Sequence, residues 1–339
     1  MRVVVTGATG NVGTSVVRSL STDNSISHVV GLARRPPMDP DFLGIEWRQV
    51  DVANDDLLPH FLHADAVIHL AWLQQPQRQR HLLHDVNIVG SARVFEAVAR
   101  AEVKALLYAS SFGVYSPAPP GQEVDETWPT DGIATSLYSQ QKAYVERLLD
   151  RFEYEHPLVR LVRLRPALTF KADAASEIQR LFLGRWLPMM AAPIARFSVV
   201  PDVLGLIVQA VHTDDVAEAY RLALLGSVTG PYNITAEKAV DAAALGHQFD
   251  LHVLPVSPKA ARGAAALGWH LRLQPTEPGW FDLAFRSPLL DTHHAAKELG
   301  WKPSRSSLDT VGELAVAMAA GGGLPTQPLR PGRGLRPSN

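Results

Sequence analysis

The chain of 339 residues contains no cysteine. That excludes disulfide staples, thiolate metal ligands and a thiolate nucleophile, and it fits a reducing compartment. Excess charge is lacking as well, since 32 basic residues stand against 34 acidic ones for a formal net charge of −2. No basic field exists to recruit nucleic acid or an anionic membrane, and neither is expected as a partner. Long apolar runs are missing too. The most apolar later stretch, Leu181 to Val200, is broken by Arg185, Pro188, Pro193 and Arg196 and cannot span a bilayer. Met1-Arg2 runs directly into a β-branched segment, so no leader is expected and the location is read as cytoplasmic. His81 and His84, and His293 and His294, lack carboxylate or thiol company at ligand spacing, so no metal is expected.

What is present begins at the first turn. Val3-Val4-Val5 is a strand pattern, glycines follow at Gly7, Gly10 and Gly13, and Thr14 to Leu20 reads as an amphipathic helix. Strand, glycine-rich turn and helix together are the context of a dinucleotide site. Gly7 lets the backbone reverse, Gly10 lets it approach a pyrophosphate, and Gly13 lets the helix pack on the strand. The helix N-terminus then presents free N–H groups to the phosphates, with Thr9, Asn11 and Val12 completing the turn.

Further strands follow at Ser27–Ala33, Ile45–Val50, Asp65–Ala71 and Ala105–Ala109, separated by helical patterns. This alternation implies an α/β chain with a doubly wound parallel sheet. At the end of the second strand Ala33 stands where an NAD-selective site carries an acid, and Arg34 follows it. Guanidinium suits a 2′-phosphate, so NADP(H) is favoured over NAD(H). Asp51, beside Val52, either receives the adenine amino group or caps a helix from Asn54 onward. Leu70, Ala71 and Trp72 follow a parallel strand's carboxyl end and are expected on the cofactor. Asn87 reads as a buried polar group with a fixed partner beside that pocket.

The candidate chemistry lies in the next two segments. Ser111 falls just past the fifth strand, where its hydroxyl can orient a substrate oxygen. Tyr138 and Lys142 are four apart on a helix and share one face. A phenol titrates near ~10, and a neighbouring ammonium favours the phenolate and lowers that value toward the working range.

Thr6-Gly-Ala-Thr-Gly-Asn-Val-Gly13, Asp65 to Ala71, Ser110-Ser111-Phe112-Gly113-Val114-Tyr115, Tyr138-x-x-x-Lys142 and Val211 to Ala217 occur in that order. Together, over about residues 1–310, they resemble the extended short-chain dehydrogenase/reductases, the NAD-dependent epimerase/dehydratase group. The resemblance implies a Rossmann-type sheet, Tyr138 as acid/base, Lys142 on the cofactor ribose, Ser111 as the active-site serine and Asn87 as the structural asparagine. It also implies a homodimer. The expected division is a cofactor domain over 1–170, with 205–235 returning to the main sheet, and a smaller substrate lobe over 171–204 and 236–318. Residues 319–339, rich in Gly, Pro and Arg, are expected to be disordered. Within the lobe, Ser176 to Trp186 reads as a helix, and Arg180, Arg185 and Arg196 either anchor an anionic substrate or face solvent.

Two departures bear on the reaction. Ala109-Ser110-Ser111 replaces the Thr-Asp-Glu element of the sugar dehydratases. Leu168 stands where nucleotide-sugar members carry an asparagine, and the Tyr-Gly-Pro ending is absent. The reading is therefore an NAD(P)-dependent oxidoreductase acting on a carbonyl or secondary alcohol of a small molecule. The alternatives are a nucleotide-sugar epimerase with tightly bound NAD, and a non-catalytic NAD(P)-sensing regulator.

Overall fold

A seven-stranded sheet organises the computed structural model, which describes residues 1–37, 42, 44–74, 79–183, 199–273 and 275–332. Its strands are β1 (Arg2–Thr6), β2 (His28–Ala33), β3 (Ile45–Gln49), β4 (Ala66–His69) and β5 (Ala105–Ala109). After a short β6 (Glu123–Val124) come β7 (Arg160–Pro166), β8 (Leu168–Phe170), β9 (Val199–Val203), β10 (Ala210–His212) and β11 (Gly230–Ile234). The last two strands are β12 (His252–Val256) and β13 (Leu289–Leu290). In the main sheet the order is β11-β7-β5-β4-β1-β2-β3, and every pairing is parallel. The chain builds outward from β1 and then resumes at β4 on its other side. That reversal opens a crevice beyond the carboxyl ends of β1 and β4, the place where such sheets bind ligands.

The all-apolar strands follow from burial on both faces. Successive side chains alternate, so Val3 and Val5 pack with Val16, Val17 and Leu20 of the Asn11–Ser21 helix and with Tyr220 of the Thr213–Leu225 helix. Val4 points the other way, onto Phe61, Val94, Phe95 and Leu149. Fully burying such a valine stabilises by about 1.5–3 kcal/mol, and a one-residue slip of β1 would exchange the two faces.

Three expectations are corrected. Gln209 to His212 does not return to the main sheet; β10 pairs in parallel with β8 in a separate two-stranded ladder. No helix starts at Asn54, because Asp51 and Asp56 accept the backbone N–H groups of Ala53 and Leu58, and helix appears only at Leu58–Phe61. The segment after Gly321 is packed through Gly332, with Leu324 and Leu329 buried against Ala174. Ser176 to Trp186 is helical at Ala175–Ile178 and continues as a π-turn over Gln179–Leu183, and the remainder, with the candidates Arg185 and Arg196, lies outside the described residues.

Candidate active site

The glycine turn has the shape the spacing called for. Gly7 has φ +68°, and a Cβ there would stand 2.6 Å from the Ala71 nitrogen. A Cβ on Gly13 would stand 2.3 Å from the Gly7 carbonyl oxygen. A side chain at Gly7 would drive into the Leu70-Ala71 backbone after β4, and one at Gly13 would push the Asn11–Ser21 helix off the turn. Gly10 is the N-cap and no side chain caps that helix end, so its N–H groups remain available to an anion. The Asn11 side chain turns away, donating to the Thr169 carbonyl at 2.8 Å and accepting from Thr213 Oγ1 at 3.0 Å. The bare cradle and uncapped helix end fit a dinucleotide pyrophosphate.

Gly7, Thr9, Gly10, Asn11, Val12 and Gly13 line one cleft with Arg34, Asp51 and Val52 at one end and Leu70, Ala71 and Trp72 along its floor. Ser111, Tyr138 and Lys142 line the same cleft. Asp51 is engaged by its own turn, accepting from the Ala53 N–H at 3.0 Å and the Asn54 amide at 3.2 Å. Asn87 stands behind the wall. Its oxygen accepts from the Leu73 N–H at 2.7 Å, and its amide donates to the Leu73 carbonyl at 3.1 Å and to Gln141 Oε1 at 2.9 Å. It pins the strand-to-helix connection that carries Trp72 and is not on the cleft with the other candidates.

The Leu137–Glu155 helix, capped by Ser136, carries Tyr138 and Lys142. Two tryptophans enclose the phenol: the Trp72 ring lies edge-on at 6.0 Å and the Trp280 ring at 4.8 Å. Burial pushes the Tyr138 phenol up to about 12, against the downward pull of a hydrogen bond with Ser111. The expected lowering by Lys142 is not found. Lys142 Nζ instead donates to the Ala109 carbonyl at 2.6 Å and sits 3.6 Å over the Trp72 ring. Burial pushes Lys142 down to about 7, opposed by the Glu146 carboxylate. Burial beneath the rings that shape the pocket thus disfavours the Tyr138 phenolate.

Sequence reasoning passed over the group beneath these residues. Glu146 is the next i+4 position after Lys142, so extending that series would have found it. It is buried with Arg165, whose Nε and Nη2 donate to its two oxygens at 3.0 and 2.6 Å, and it accepts from Ser110 Oγ at 2.5 Å. Arg165 also donates to Tyr115 Oη and to the Glu126 carbonyl. This network holds the Ser110-Ser111 turn against the helix. Glu177 and Trp280 on the cleft wall were likewise passed over.

The family model for the NAD-dependent epimerase/dehydratase family matches residues 3–235. The chain belongs to that family. Among its family relatives, the L-arabinose 1-dehydrogenase (NAD(P)(+)) of Haloferax volcanii is 32% identical over 115 residues, 34% of this chain. The match spans 42% of the length of that dehydrogenase. The UDP-glucose 4-epimerase of Yersinia pestis is 25% identical over 336 residues, 90% of this chain and 94% of the relative. The solved UDP-glucose 4-epimerase of Thermus thermophilus with NAD superposes with a TM-score of 0.68 at 20% identity, covering 93% of this chain and 99% of that one. The UDP-glucuronic acid 4-epimerase of Bacillus cereus with NAD gives 0.67 at 16% identity, covering 94% and 100%. These two likenesses show the fold alone.

Proposed function

We propose that this member of the family is an NAD(P)-dependent oxidoreductase acting at a carbonyl or secondary alcohol of a small molecule. The observation that carries the reading is the convergence of Ser111, Tyr138 and Lys142 on the cleft that the glycine turn opens. Bound NAD(P) supplies or accepts the hydride. In the reducing direction the Tyr138 hydroxyl gives its proton to the carbonyl oxygen as that oxygen gains charge, and the phenolate left behind recovers a proton from solvent. At neutral pH that phenol carries its proton, the form this direction consumes. Ser111, almost fully buried, orients the substrate oxygen, and Lys142 reaches toward the cofactor ribose. The glycine turn holds the pyrophosphate. Arg34, exposed at the end of β2 and on the cleft, takes a 2′-phosphate, which favours NADP(H). On this reading residues 1–170 and 205–235 serve the cofactor and the remaining segments the substrate. A cytoplasmic homodimer belongs to the same proposal, and mass photometry tests it.

Tyr138→Phe should lower turnover by about 10²–10⁴ while leaving NADPH binding unchanged. Fluorescence titration and NADPH oxidation measure the two separately. The second reading, an epimerase that keeps NAD bound, draws on the similarity to UDP-glucose 4-epimerases. NAD carried through purification and slow to exchange would favour it over ours. A biological effect that survives Tyr138→Phe alongside tight cofactor binding would favour the non-catalytic sensor.

A further inference from the structure

The cleft is about 1250 Å³, beyond the ~300–1,000 Å³ of a site for one drug-sized ligand, so it has room for cofactor and substrate together. The half away from the glycine turn is walled by Ile178, Leu181, Phe182, Val203, Trp280 and Leu283. Among the described lining residues the cationic side chains are Arg34 and Lys142, and both belong to the cofactor half. Arg180, one helical turn after Glu177, donates to the Pro328 and Arg330 carbonyls at 2.6 and 2.9 Å and does not line the cleft. What the apolar half does carry is acid. Glu277 is paired with Arg80 at 3.2 Å, whereas the Glu177 side chain is given no hydrogen bond or ion pair by any described residue.

We propose that this half binds an apolar carbonyl compound or alcohol without phosphate, which presents one hydroxyl to the Glu177 carboxyl. The inference rests on reading the cleft as a hydride-transfer site and names its substrate class. A diphosphate placed here would meet a carboxylate and hydrocarbon walls, with no described cation to replace its hydration. An alicyclic or aromatic skeleton matches those walls and loses nothing by leaving water. Glu177, partly buried on the cleft wall, then supplies the orienting contact, since a site that hydrogen-bonds a substrate hydroxyl discriminates against the analogue lacking it. Burial pushes Glu177 up to about 7, against the pull of Arg180 and Lys171, so near neutral pH the carboxyl either accepts from a hydroxyl or donates to it.

The test uses the full chain with NADP⁺ and two ketones that differ by one hydroxyl, 2-tetralone and 6-hydroxy-2-tetralone. Oxidised cofactor with a ketone cannot react, so tryptophan quenching reads binding apart from turnover. The hydroxylated ketone should bind about tenfold more tightly than its parent, the size of a hydrogen bond to a charged group. Glu177→Leu should erase that preference and leave the parent within about threefold, and Glu177→Gln should keep part of it. UDP-glucose should not displace either ketone. Displacement by UDP-glucose, failure of both ketones to bind, or a hydroxyl preference that survives Glu177→Leu overturns the inference. The near-isosteric Gln variant separates a lost contact from a lost fold. NADPH oxidation is followed in parallel. Glu177-dependent binding without turnover by any ketone sinks the hydride-transfer reading alone, and turnover of UDP-glucose sinks this inference alone.

Discussion

Lys142 is where burial and chemistry conflict most sharply at the scale of one residue. Its ammonium is almost fully buried between the Trp72 ring and the Ala109 carbonyl. An unfolded lysine titrates near ~10.4, whereas this one is pushed down to about 7. Between those values the unfolded chain binds the extra proton, so stability should rise with pH from about 7 to about 10. Below pH 7 both states are protonated and the burial penalty is present in full. Lys142→Met removes the penalty. Its melting temperature at pH 7 should rise by a few degrees, at about 2 °C per kcal/mol for a chain of this size, and its pH dependence above 7 should flatten. The same substitution removes the ammonium proposed to reach the cofactor ribose and should lower turnover at fixed cofactor by about tenfold, the size of a hydrogen bond to a charged group. Calorimetry across pH measures the first effect and initial rates the second. A melting temperature at pH 7 that falls would show the Ala109 and Trp72 contacts outweighing desolvation. The pairing of Tyr138 with Lys142 was legible as an i, i+4 spacing. The direction of their titration was not, because desolvation depends on Trp72 and Trp280, which reach the pair from distant parts of the chain.

At the scale of elements, the Leu137–Glu155 helix is fastened to β7 by a charge cluster. Glu146 sits between Arg165 and Arg163, and Arg163 also reaches Asp150 and Glu153 at 2.5 and 2.8 Å. Burial pushes the Glu146 carboxyl up, but the hydrogen bonds and charge of Arg165 prevail and hold it below the ordinary glutamate value. Its contribution to stability is therefore present at neutral pH and lost as pH falls through that lowered value. Glu146→Ala leaves the Arg165 guanidinium buried without its carboxylate and should destabilise by about 3–5 kcal/mol. Urea unfolding at pH 7 and pH 4 checks both the size and its decline with acid. An unchanged midpoint at pH 7 would mean that the arginines find other acceptors. Strands β1, β2, β4 and β5 were legible because burial on both faces leaves nearly unbroken apolar runs. The partner of Ala210–His212 was not, since a three-residue strand carries too little pattern to choose among exposed ladders. The expected helix at Asn54 failed for a local reason. Acidic residues closely spaced in sequence can hydrogen-bond their own backbone and so compete with a helix.

At the scale of the whole molecule, the end of the chain returns to its beginning. Thr326 Oγ1 donates to the Thr9 carbonyl at 2.9 Å inside the glycine turn, and Pro328 lines the cleft. Ser176 Oγ accepts the Gly332 N–H at 2.7 Å, and Leu324 and Leu329 are buried. Composition read this segment as disordered because glycine, proline and arginine outweigh its leucines, Leu324 and Leu329 among them. Fixed structure needs only those anchors and carbonyls for Arg180 to hold. Removing residues 322–339 takes away both buried leucines, each worth on the order of 2 kcal/mol, uncovers Ala174 and Ile178, and should lower the melting temperature by about 8 °C. It also frees the Thr9 carbonyl, so cofactor affinity should fall by about fivefold, the size of one hydrogen bond. Thr326→Val separates the two effects. It removes the hydroxyl and keeps the packing, so affinity should fall while the melting temperature barely moves. If the truncated chain loses stability but binds NADPH as before, and Thr326→Val is silent, the segment only covers apolar surface. If Thr326→Val alone weakens NADPH, the end of the chain helps to set the geometry of the pyrophosphate turn.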